Sequence, residues 1–177
     1  AEADDAASQA IQRVNTQLAS IMSTAASVAD DGDAATDTSI AVALAVANAV
    51  VSQVETAAAT DDTSVDLTAS DIVASVLTDT LAEAAPDLVV AEAVINAVAS
   101  VVATVNTVAA DTTVNPTSAQ AIAVATVAQT SVQDSVADVV SGETTVAEFE
   151  TATDAGTILA DVPVEPDAPD FDSDGLA

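Results

Sequence analysis

Six stretches of the chain, rich in apolar residues, read as helices. In 5–29, Ile11, Val14, Leu18, Ile21, Ala25 and Val28 recur every three or four residues, which is one apolar stripe along a helix. The stripe stops at the turn cluster Asp30-Asp31-Gly32-Asp33. Segment 38–59 is preceded by Thr36 and Asp37 and opens with Thr38 and Ser39, each a suitable N-cap. It then alternates as Ile40-Ala41-Val42-Ala43-Leu44-Ala45-Val46, a period of two that is formally a strand signal. Helix is the better reading, because Ala is the best helix former and is scarce in strands. A helix apolar on nearly every side is expected to be central and buried.

Segment 69–85 follows Thr68-Ala69-Ser70-Asp71, which resembles a capping box, and its stripe is Ile72, Val73, Val76, Leu77, Leu81 and Ala84. Pro86 breaks it and suits the first position of the next helix, 87–110, the most apolar of the six. Segment 117–141 follows Pro116 and ends at Gly142. Segment 145–161 opens on a second capping box, Thr145 to Glu148, with Val146, Phe149, Ala152 and Leu159 on its apolar side. From 162 onward the chain reads Val-Pro-Val-Glu-Pro-Asp-Ala-Pro-Asp, extended and without a core of its own. The expected architecture is an all-α bundle of about six Ala/Val-rich helices over 1–161, with an extended acidic C-terminal tail or linker over 162–177. A β-solenoid is the alternative. A faint internal match pairs Ala45–Ser52 with Ala93–Ser100, 48 residues later, a spacing that fits a helical repeat.

Composition narrows the function. Half of the residues are apolar, which separates the chain from disordered sequences. The apolar material is mostly 43 Ala and 28 Val, so each buried side chain removes little area from water. Neighbouring molecules are therefore expected to add to the core. The two most apolar runs, 40–54 and 88–105, are interrupted by Asn48, Ser52 and Gln53 and by Glu92, Asn96 and Ser100. They read as buried elements of a soluble protein and not as membrane spans.

One basic residue, Arg13, stands against 29 acidic ones, a formal charge of -28. That field excludes nucleic acid and anionic membrane surfaces as partners. It also destabilises a compact state at low ionic strength, so a saline or Ca²⁺-rich medium is expected. The acids fall at caps, turns and the tail, while 38–54 carries no charge. Without His, Cys or Lys, the chain lacks Ser-His and Cys-His catalysis, Schiff-base chemistry and the usual zinc, haem and iron–sulfur ligands. Glu55, Glu83 and Glu92 are the carboxylates expected nearest core faces, yet a sugar site would need aromatic platforms, and Trp and Tyr are absent. No enzymatic activity and no required cofactor are expected.

The sharpest local motif is Asp170-Phe171-Asp172-Ser173-Asp174-Gly175, the first half of a Ca²⁺ loop. Asp170, Asp172 and Asp174 would supply three ligands, and the acid of position twelve would fall past Ala177. The rest of the shell would come from water, another subunit or further sequence. Asp30–Asp33 and Asp61-Asp62 are weaker candidates that suit turns and caps. Asn48 and Asn96 sit in apolar runs, where each needs a partner if buried and could fix register between helices. Thr is expected in loops and at caps, with no sustained spacing for an ice-binding face.

The functional expectation is a structural protein, a self-assembling subunit of an extracellular or cell-surface filament, sheath or array, with itself as partner. Two alternatives are a helical spacer of a larger calcium-dependent adhesin and a protein-binding domain from a halophile. The start Ala1-Glu2-Ala3-Asp4 is of the kind signal peptidase leaves, in keeping with secretion.

Overall fold

A computed structural model describes residues 6–29, 38–59, 65–111 and 118–154. Helix α1 spans Ala6–Ala29, α2 Thr38–Ala59, α3 Ser70–Ala84, α4 Glu92–Ala110, α5 Ser118–Ser141 and α6 Val146–Ala152. Among the described residues every regular element is a helix, so the architecture is an all-α bundle. The period-two run of 38–59 is helical, as Ala propensity requires, and the β-solenoid alternative falls away.

Helix α4 is the hub of the bundle. It packs against α1, α3, α5 and α6, and Val98, Val101, Val102 and Val105 are buried along it. Helix α1 lies against α2, α3, α4 and α5 and inserts Ile21, Ala25 and Val28 into the same core. Phe149 of α6 is fully buried and closes one end against α4 and α5. The expectation that α2 is central is corrected: it packs on α3 and α1 and buries only Val42, Ala45, Val46 and Ala49. Overall hydrophobicity does not decide centrality here, because α4 is equally apolar and has neighbours on more sides. The stripe of α1 is also shorter than expected, since Ile11 and Val14 are exposed.

The helix ends explain the boundaries. Pro86 does not open α4. It follows Ala85 in a turn closed by the Leu88 N–H donating to Ala85 O at 3.0 Å. The fixed φ of proline serves the second position of a turn as well as the start of a helix. Residues 88–91 then run without helix, with Leu88 and Val90 against the core and Val89 94% exposed. Helix α4 therefore starts at Glu92 and not at 87.

Gly142 (φ 79°) ends α5 as expected. Gly142 N donates to Val139 O and Glu143 N to Asp138 O, the paired bonds of a Schellman motif. The capping box of α6 is present: Glu148 N donates to Thr145 Oγ1, and Thr145 N to Glu148 Oε2 at 3.0 Å. The expected box at the start of α3 is not formed. Ala69 is the N-cap without a side-chain bond, and Thr68 donates instead to Asp66 Oδ1 from both N and Oγ1. Helix α6 stops at Ala152. The remainder of the expected 145–161 helix past Asp154, the 162–177 tail, the Asp30–Asp33 and Asp61-Asp62 turns and 112–117 lie outside the described residues.

The internal match does not carry into packing. Ala45 is buried where its counterpart Ala93 is exposed, and Val54 is exposed where Val102 is buried.

Candidate interaction surface

Helix α2 carries two apolar stripes. Val42, Ala45, Val46 and Ala49 face the bundle. On the other side Ile40, Leu44, Ala47, Val51, Val54 and Ala58 are all exposed, Ile40 at 69% and Leu44 at 60%. Their spacing is 4-3-4-3-4, the a/d pattern of a heptad. Half of the large exposed apolar side chains of the described residues lie on this one helix; the others are Ile11, Val14, Val89 and Ile122. From sequence alone α2 is apolar on nearly every side. The 4-3-4-3-4 spacing is present in the sequence, but Val42, Val46 and Val50 between its positions conceal which side is covered.

Polar chemistry near this surface is sparse. Asn48, beside the stripe, is exposed and donates to Glu83 Oε1 of α3 at 2.9 Å. Asn96 is also exposed and does not pair with Asn48 across helices. The buried asparagine is Asn106, whose Nδ2 donates to Leu67 O at 2.8 Å, while its own carbonyl receives Gln17 Nε2 at 3.5 Å. That seam ties α1, α4 and the 65–69 connection together. Helical phase distinguishes the two: Asn106 continues the buried ridge of Val98, Val102 and Ala109, whereas Asn96 continues Ser100 on the outer face.

An open groove of about 660 Å³ runs between α3 and the start of α4, lined among others by Asp71, Asp79, Glu92, Gln53 and Asn96. Its carboxylates are exposed. Among the described residues no three acidic groups come close enough together to hold a metal ion. Glu55, Glu83 and Glu92, expected nearest core faces, are all exposed. Asp170, Asp172 and Asp174 lie outside the described residues.

Arg13 is the sole basic side chain of the sequence. Its Nη1 donates to Ala109 O at 2.6 Å, in the last turn of α4. A cation there satisfies an end carbonyl and opposes the negative end of the helix dipole. Two carboxylates are held below their ordinary values by hydrogen bonds: Asp66 by the Thr68 hydroxyl and then its N–H, and Glu148 by the same two groups of Thr145.

By length and composition α2 and α4 could each cross a membrane, but half of the apolar window of α4 is buried inside the bundle against 22% for α2. Fold and surface thus define an acidic helical bundle in which, among the described residues, α2 presents an uncovered apolar face. No protein-family model, curated protein or solved structure matches the chain.

Proposed function

We propose that this protein is a structural, self-assembling subunit of an extracellular or cell-surface filament, sheath or array. The observation that carries the reading is the outward face of α2, which leaves Ile40, Leu44, Val51 and Val54 in water on a chain of charge -28. Exposed apolar rows of this kind mark interaction sites. A core of small Ala and Val side chains gains from area contributed by neighbours. Durability outside the cell is served by the scarcity of basic residues, since the one site for a trypsin-like protease, Arg13, is half-buried within α1. Contacts between copies are apolar, or bridged by cations across the acidic coat, calcium at Asp170, Asp172 and Asp174 included.

Size-exclusion chromatography with light scattering, run across salt and Ca²⁺ concentrations, tests the reading. Oligomers or polymers that grow with salt are expected, with regular assemblies in electron micrographs. A monomer under every condition would sink it.

A further inference from the structure

We infer that the exposed heptad face of α2 is the contact through which two copies of this chain pair, antiparallel, about a two-fold axis near residue 49. The inference rests on the self-assembly reading and names its surface.

Charge selects the occupant. A second copy carries the same -28, so it approaches most readily where charge is sparsest. The 38–54 stretch has no charge of its own and supplies most of the stripe; Glu83, bonded to Asn48 beside the stripe, is the flanking carboxylate that salt must screen in the pair. A basic partner would instead seek the carboxylates elsewhere on the surface. Lipid fits poorly. The chain has no Trp or Tyr and one basic residue, so α2 lacks interfacial anchors, and its other face is committed to the core.

Side-chain volumes select the direction. Residues repeating at 3.5 positions per turn face a partner helix along the full length of α2, about 33 Å for its 22 residues. In an antiparallel pair centred near residue 49, Ile40 meets the second copy's Ala58, Leu44 meets Val54, and Ala47 meets Val51. Each layer sets a larger side chain against a smaller one, which keeps the spacing even. A parallel pair would stack Ile40 on Ile40 and Leu44 on Leu44 at one end and Ala58 on Ala58 at the other, leaving a wedge. It would also set Glu55 against Glu55, whereas the antiparallel pair sets Glu55 against the uncharged start of the other helix.

The test uses the full chain at about 1 M salt, where screening falls to about 3 Å. Leu44→Glu combined with Val51→Glu places four carboxylates in the paired interface, on positions that are exposed within one copy. The double variant is expected to keep its far-UV helical signal and to self-associate at least about tenfold more weakly than the wild type. Wild-type-like assembly of the variant would overturn the α2 contact and leave the assembly reading standing. A wild type that is monomeric at every salt concentration would overturn both.

Cysteine pairing checks direction independently, because the chain has no Cys of its own. Mixed Leu44→Cys and Val54→Cys chains are expected to give the mixed disulfide. Only Leu44→Cys or only Val54→Cys homodimers would overturn the antiparallel arrangement. Co-flotation of the wild type with phosphatidylcholine vesicles, abolished in the double Glu variant, would assign the face to lipid and overturn the proposal.

Discussion

Thr80 is fully buried in α3, and its hydroxyl is without a partner among the described residues. Other helical threonines return theirs to the carbonyl four residues back, as Thr78 does to Ala74, Thr104 to Ser100 and Thr107 to Ala103. That local bond lets Thr populate helix interiors here, against the expectation that it would gather in loops and caps. A buried hydroxyl left unpaired costs about 1–3 kcal/mol. Thr80→Val keeps the branched shape and should stabilise the fold by about 1 kcal/mol, read as a rise in the thermal midpoint of about 2–4 °C. A fall would mean that the hydroxyl has a partner. Asn106→Ala should act oppositely and lose about 2 kcal/mol in urea unfolding, because it strands the Leu67 carbonyl in a buried seam. The contrast between Asn106 and Asn96 shows what was readable at this scale. Both are single amides in an apolar run, and only their phase on α4 tells which one is buried.

The six helices were legible because apolar periodicity, Ala propensity and capping residues agree along most of the chain. The Thr145–Glu148 box and the Gly142 stop were readable because each is a local motif. Pro86 and Thr68 were not, since each has two local solutions and tertiary packing of Leu88, Val90 and Leu67 picks between them. The heptad face of α2 was hidden for a different reason: a run in which nearly every residue is apolar does not announce which side is covered. Arg13 makes an element-scale prediction. Arg13→Gln removes the cation from the last turn of α4 and should cost about 1 kcal/mol. Hydrogen exchange should quicken at the end of α4 and little elsewhere, and uniform quickening would refute a local role. The α6 cap gives a pH prediction. The folded pKa of Glu148 is depressed, so its contribution is present above the ordinary Glu value of about 4.3 and disappears as pH falls through the lower, folded value. Carboxyl NMR should place the Glu148 midpoint below that ordinary value, with the Thr145 amide signal shifting in the same acid range.

At the scale of the whole molecule, two electrostatic effects oppose each other. A charge of -28 on a small bundle repels itself, and added salt relieves this cost. The local bonds to Asp66 and Glu148 run the other way, because their depressed carboxyls lose their contribution in the acid limit. At pH 7 the melting temperature should therefore rise from low ionic strength to about 1 M salt, and at either salt level it should fall in acid as pH drops through the depressed values of these two carboxyls. Salt should also promote the proposed pairing through α2, and association by itself makes a melting temperature rise with protein concentration. Melts of the wild type at several protein concentrations separate the two contributions. The part of the salt effect that is independent of concentration reports screening within one copy, and the remainder reports assembly. In the Leu44→Glu, Val51→Glu variant only the first part should survive. A salt response that depends on concentration equally in both chains would place the contact elsewhere than the α2 face.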